Sequence, residues 1–234
     1  IIKNNYSIAS AHTMKIIIPL QTCSTRIPLK NIRPFYNDDS LFDIKAKQIL
    51  EFESADNVYV SSEDEEKVRP LCEKYGFHFM LRDPSLTGNK IYQPDLVKAL
   101  TEPLPGDDDI MWIQVTSPLF NQFKEALAEW KRVRDDYDSL VAVKPFKGHL
   151  LDDKGNPVNY SFGYWHKVSQ DLPKLYSVLW SLFILKRTTV NRFNYHIGVN
   201  PYLFASDNMV VDIDYHEDFE LARHIYTKIH GNND

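Results

Sequence analysis

Short apolar runs alternate with amphipathic stretches along most of this chain. Lys15-Ile16-Ile17-Ile18-Pro19 is a β-branched run that stops at proline, as a strand buried on both faces does. Asn57–Ser61, Phe77–Leu81, Ile110–Gln114 and Ser139–Val143 read the same way. Between them, Phe42, Ala46, Ile49 and Leu50 recur at helical spacing. Glu65 to Tyr75 is a second amphipathic stretch, closed by Gly76 as a C-terminal cap. Leu96 to Leu100 marks a third, and Phe123, Ala126, Leu127, Trp130 and Val133 a fourth. Strands and helices alternating at this spacing predict βαβ units: an α/β fold whose parallel sheet carries helices on both faces.

After Val143 the rhythm changes. Pro145 to Leu175 contains the turn signal Asp152-Asp153-Lys154-Gly155-Asn156 between extended stretches, a hairpin excursion from the sheet. Trp180 to Leu185 returns as an apolar strand. Val210 to Asp214 reads as a short strand leading into a last helix with Ala222, Ile225, Tyr226 and Ile229 on one face. Residues 1–13 are polar and precede Met14-Lys15, so they are expected to be an N-terminal extension or cloning remnant. The tail Gly231–Asp234 is expected to fray. Residues 14–234 then form a single domain, the excursion covering about 147–174.

Composition narrows the function classes. Of 234 residues, 43% are hydrophobic and 25% charged, which excludes a disordered chain. No apolar run approaches the roughly 18 residues of a membrane span. The net charge of -5 gives no broad basic face for nucleic acid. Two cysteines, Cys23 and Cys72, make no disulfide framework, so a reducing cytoplasm fits best. No HExxH or Cys/His zinc spacing occurs among the scattered histidines.

In an open α/β sheet, ligands bind beyond the carboxyl ends of the strands. That places the chemistry at Pro19–Asn31, Ser61–Asp64, Arg82–Gln93, Gln114–Pro118 and Asp212–Asp218. Arg26, Lys30 and Arg33 cluster in the first loop beside Ser24 and Thr25 and suit phosphate oxygens, although a solvated basic loop has the same composition. The loop lacks the GKS or GKT of a P-loop. Asp212 and Asp214 alternate, which on a strand puts both carboxylates on one side, a donor pair suited to magnesium. Acids before a helix also complement its dipole, and Glu217 and Asp218 fit that role better than Asp212. Gln114 to Pro118 offers hydrogen-bonding groups at the crevice or a helix N-cap before Phe120. Arg82-Asp83 is a crevice pair or a surface ion pair.

These segments, in this order, resemble the acylneuraminate cytidylyltransferase family, the CMP-sialic acid synthetases and their relatives for other nonulosonic and ulosonic acids. IIPLQTCSTRIPLKN is similar to the family's I-P-A-R-x-x-S-K-x-x-x-x-K-N, and VYVSSEDEE to its V-V-S-T-D-x-E-E. FHFMLRDPSL, WIQVTSPLF, SQDLPKLY and VDIDYHEDFELA resemble its R-P-x-x-L, L-Q-P-T-S-P-L, R-Q-x-L-P and D-I-D-x-x-x-D-F-x-x-A stretches. The resemblance implies a Rossmann-like, mostly parallel sheet of the nucleotide-diphospho-sugar transferase type. It also implies magnesium-dependent transfer of CMP from CTP to an acidic sugar or similar acceptor, with release of pyrophosphate.

Carried over by position, the family's loop serine falls on Ser24, its phosphate-binding lysine on Lys30 and its nucleotide-reading asparagine on Asn31. Its base-side arginine falls on Arg82, its glutamine, expected to face the acceptor, on Gln114 and its metal-binding aspartates on Asp212 and Asp214; Arg26, which matches no family position, is expected to help Lys30 on the pyrophosphate. The family's excursion makes a homodimer contact, for which Tyr160, Phe162, Tyr164 and Trp165 suit an interface core or, equally, packing onto their own domain. The departures are Gln21 for the family's loop arginine, Thr25 for its loop lysine, and Val178–Phe183, with a bulky Trp180, near the acceptor site. Two rival expectations follow: a catalytically impaired homologue that binds nucleotide or a partner, and a nucleotidyltransferase for another base.

Overall fold

The computed structural model describes residues 14–88 and 90–231; the extension expected over 1–13 lies outside them, as does the tail beyond Gly231. A sheet of seven strands runs in the order β5-β4-β1-β6-β8-β7-β9. Strands β1 (Met14–Pro19), β4 (Val58–Ser62), β5 (His78–Leu81) and β6 (Asp109–Ile113) are mutually parallel. Strand β8 (Leu175–Leu185) lies antiparallel between β6 and β7 (Ser139–Phe146), and β9 (Pro201–Ala205) adds parallel to β7. Strands β2 (Pro34–Tyr36) and β3 (Asp39–Ser40) make a small separate ribbon. The mostly parallel, helix-flanked α/β sheet expected from the sequence is what the chain forms.

The apolar runs are continuous because both faces are covered. Alternate residues Ile16, Ile18, Met111, Ile113, Leu182 and Ile184 meet helices α1 (Leu41–Leu50), α2 (Glu65–Tyr75), α4 (Phe123–Val133) and α6 (His216–His230) on one side. Ile17, Ile110, Trp112, Phe183 and Val141 face α3 (Gln93–Thr101) and α5 (Arg187–Phe193) on the other. The in-register row Ile17–Trp112–Phe183–Val141 crosses four strands on that second face.

Local signals set the helix ends. Ser40 caps α1 in a capping box with Asp43. Asp43 also accepts from Lys74 and Tyr75 of α2; burial pushes its carboxyl up, but these bonds outweigh burial and hold it down at about 2. Gly76 ends α2 at φ 73°, a left-handed position that favours glycine. Gly231 closes α6 by donating its N–H to the Thr227 carbonyl.

The structure differs from the sequence reading in several elements. Val210 to Asp214 is not a strand: it runs beside the loop after β6, joined to it by one backbone bond, Ile213 N–H to Thr116 O at 2.9 Å. Strand β9 and helix α5 were not expected. Leu50 and Ile229, expected on apolar helix faces, are exposed, although Ile49 beside Leu50 is fully buried. The excursion is the expected hairpin: Gly155 turns at φ 81°, Leu151 pairs with Pro157, and Asp152 accepts from the Lys154 and Asn156 amides. Most of it is exposed, including Phe162, Tyr164 at 93% and Trp165 at 74%.

Candidate functional site

The carboxyl ends of β1, β4, β5 and β6 lie at one edge of the sheet, and the loops after β1, β5 and β6, with the start of α3, enclose a cleft of about 180 Å³. Lys30, Asn31, Arg82 and Gln114 all line it, together with Gln21, Trp112 and Thr116. Four of the eight expected site residues therefore converge on one cavity. Gln114 points into it because it shares a sheet face with Ile110 and Trp112.

Lys30 joins the two ends of the chain. Its Nζ donates to the Ile213 carbonyl and lies 3.8 Å from Asp214 Oδ1. Arg26 donates to the same carboxylate oxygen at 2.9 Å and stacks over the Tyr215 ring. Burial lowers the Lys30 pKa from its ordinary value, while Asp214 and Asp212 oppose that shift. Asp212 accepts a long bond from Ser117 Oγ at 3.5 Å. Although no strand forms here, Ile213 is buried, both flanking aspartates are exposed, and both carboxylates act electrostatically on Lys30. Asp218, by contrast, caps α6 by accepting from the Asp214 and Tyr215 amides.

The two carboxylates are hard oxygen donors of the kind magnesium takes, leaving coordination positions for water and phosphate oxygens. Among the described residues no group of three or more His, Cys, Asp or Glu side chains could hold a metal ion by itself. Asp212 and Asp214 are the residues that could hold a magnesium ion shared with a substrate.

Around Gln21 the loop after β1 is fastened by neutral bonds. Asn31 Nδ2 donates to the Gln21 carbonyl at 2.9 Å, and the Gly88 amide donates to Gln21 Oε1 at 3.4 Å. Gln21 therefore ties loops together where the resembling family has a cation. Ser24 is not brought into the cleft; its hydroxyl accepts from the Ile27 amide and shapes the turn. Arg82 is buried rather than a surface ion pair, donating to Glu63 Oε2 at 2.9 Å and to the Leu20 carbonyl at 3.3 Å. Asp83 caps the short turn that follows by accepting from Ser85. Gln114 to Pro118 is not a helix cap, since α4 starts only at Phe123.

Three buried polar atoms of cleft residues have no partner: Asn31 Oδ1, Arg82 Nε and Trp112 Nε1. Sequence reasoning did not single out Trp112 or Glu63. Glu63 lies within the expected Ser61–Asp64 segment, and Trp112 was marked only as a strand residue. Trp180 does not line the cleft. It packs instead against Phe183 and His196, and His196 also meets the edge of Trp112 at 4.5 Å. Burial lowers the His196 pKa to about 4.

Known proteins resemble this chain in sequence and in fold. The family model described as Cytidylyltransferase matches residues 15–145. The chain is 25% identical over 213 residues to the N-acylneuraminate cytidylyltransferase of Streptococcus agalactiae serotype III, covering 87% of this chain and 51% of that protein. It is 26% identical over 225 residues to the pseudaminic acid cytidylyltransferase of Campylobacter jejuni, covering 92% of this chain and 96% of that one. The chain thus spans about half the length of the streptococcal relatives it matches. Among solved structures, a CMP:2-keto-3-deoxy-manno-octonic acid synthetase complexed with CTP superposes with a TM-score of 0.64 at 12% identity, covering 92% of this chain and 99% of that one. A 4-diphosphocytidyl-2C-methyl-D-erythritol synthase from Anaerococcus prevotii gives 0.63 at 11%, covering 92% and 96%. At these identities the superpositions speak for the fold alone.

Proposed function

Because the chain belongs to the cytidylyltransferase family, we propose that it transfers CMP from CTP to an acidic sugar, a nonulosonic or ulosonic acid or a close analogue. The observation that carries this reading is the meeting of Lys30 and Asp214, 3.8 Å apart, beside a cleft that Asn31, Arg82 and Gln114 also line. In this reading an acceptor oxygen forms a bond to the α-phosphorus, and the bond from that phosphorus to pyrophosphate breaks. Such chemistry rests on positioning and charge neutralisation.

Each residue has a part to play. Lys30, helped by Arg26, stabilises charge on the departing pyrophosphate. Arg26 and Asp214 are both substantially exposed, so their ion pair exchanges readily for phosphate contacts. Asp212 and Asp214 would hold magnesium, which supplies the positive charge that neutralises the triphosphate. Asn31 Oδ1 is an unused acceptor suited to the exocyclic amine of cytosine, and Arg82 Nε an unused donor suited to the ring acceptors. Gln114 faces the acceptor sugar, and Ser24 shapes the loop. The exposed aromatics of residues 147–174, beside a groove of about 600 Å³ lined by Phe146, Leu172 and Tyr176, pair with a second copy.

The test is pyrophosphate release with CTP, magnesium and a panel of eight- and nine-carbon keto sugar acids. Release that depends on the acceptor and is lost in Asp214→Ala is expected; no release with any acid sinks the enzyme reading. One observation favours a second reading, a homologue that binds nucleotide without turnover: Gln21 and Thr25 leave the loop two cations short of the family pattern. Thermal stabilisation by CTP without turnover would mark that case, and comparing the four nucleotides separates a different base.

A further inference from the structure

Glu63 is the first residue beyond β4, and its carboxylate spans two loops. Oε1 accepts from the Thr22 amide at 2.8 Å and from Thr22 Oγ1 at 3.1 Å, in the loop after β1. Oε2 accepts from Arg82 Nη2 at 2.9 Å, just after β5. The two side chains are 13% and 3% exposed. Opening such a pair strands a buried charge, so the pair holds its geometry firmly.

The cations of the cleft are thereby sorted. Lys30 and Arg26 face Asp214, a counter-ion 51% exposed that can be given up to a ligand. Arg82 faces Glu63, a counter-ion only 13% exposed. A guanidinium neutralised this way has little left for a polyanion, yet its Nε donor is unused. One end of the site suits phosphates, the other a neutral ring with acceptor atoms.

We infer that Glu63 is a positioning residue for nucleobase selection, locking Arg82 against the first loop and cancelling its charge so that Nε addresses the base rather than the triphosphate. This rests on the reading of the cleft as a nucleotide site. Loss of the lock frees Arg82 to follow phosphate, and discrimination between cytosine and uracil falls.

The experiment is calorimetric titration of CTP and of UTP, each with magnesium, into the wild-type chain, Glu63→Gln and Glu63→Asp, with melting of the free proteins in parallel. Glu63→Gln keeps the shape but loses the charge, and the CTP-to-UTP affinity ratio is expected to fall about tenfold. Glu63→Asp keeps the charge and should retain most of the ratio. A Glu63→Gln protein that weakens both nucleotides equally, or neither, overturns the inference, because a merely structural role moves affinity or stability and leaves the ratio alone. A wild-type chain that binds CTP and UTP alike overturns it too, while leaving nucleotide binding intact. A wild-type chain that binds neither nucleotide defeats the proposed function and this inference together.

Discussion

Replacing Lys30 with methionine tests the convergence on which the functional reading depends. The substitution keeps the length of the side chain and removes only the ammonium, which donates to the Ile213 carbonyl and sits 3.8 Å from Asp214. A hydrogen bond to a charged group contributes on the order of 1.5–3 kcal/mol, so kcat/KM should drop by about tenfold to a hundredfold. The structural cost is smaller. One bond from a charged donor is lost, but a partly buried cation no longer needs solvation, and the offset limits the melting shift to about 2–4 °C. Burial has also lowered the Lys30 pKa, so the cation is lost as pH rises through a value below the ordinary 10.5. The alkaline limb of activity should therefore begin earlier than for a solvated lysine, and be missing in Lys30→Met. Pyrophosphate release and calorimetric melting on the same preparations decide the matter. Activity within about threefold of wild type, or activity lost only in step with unfolding, refutes the assignment.

Three other outcomes are expected. His196 is buried neutral, with a folded pKa of about 4 against 6.5 unfolded, so the unfolded chain binds the extra proton first. Its contribution is complete above pH 6.5 and fades as pH falls through 4, removing about 3 kcal/mol; denaturant melts of His196→Phe should lack this slope. Cys72 is sealed in the core and burial pushes its thiol up to about 12, whereas Cys23 is exposed. A thiol reagent at pH 8 should therefore label Cys23 alone until denaturant is added, and rapid native labelling of Cys72 would contradict its placement. Finally, Tyr164→Ser with Trp165→Ser should convert a dimer to monomer in light scattering without shifting the melting temperature; an unchanged mass removes the excursion from any subunit contact.

The fold was legible where burial on both faces writes itself as unbroken β-branched runs, as at Ile16–Ile18 and Val58–Val60. It was illegible where local signals are weak. Helix α5 is built from Arg-Thr-Thr-Val-Asn-Arg-Phe, in which every residue but the two arginines is a weak helix former, and Val190 packs beneath the sheet. Strand β9 opens at a proline on the sheet edge, where only one ladder is required. Val210 to Asp214 has the alternation of a strand, yet its hydrogen bonds go to a loop rather than a ladder. Lys30, Asn31, Arg82 and Gln114 could be marked because they follow strands. Their grouping depends on strand order, which periodicity does not encode. Glu63 was hidden for a different reason: an acid in an acidic stretch looks like a solvated charge until its partners are known.

The antiparallel entry of β8 between β6 and β7 governs how the molecule is made. The outer edge of β6 pairs only with β8, so its open carbonyls and amides wait until residues 175–185 leave the ribosome. A nascent chain halted inside the excursion therefore already contains the first loop, yet carries a bare, apolar strand margin that invites aggregation. Asp214 arrives later still, just ahead of α6, whose Phe219 and Ala222 complete the core, so the charge and the last helix of the scaffold are delivered together.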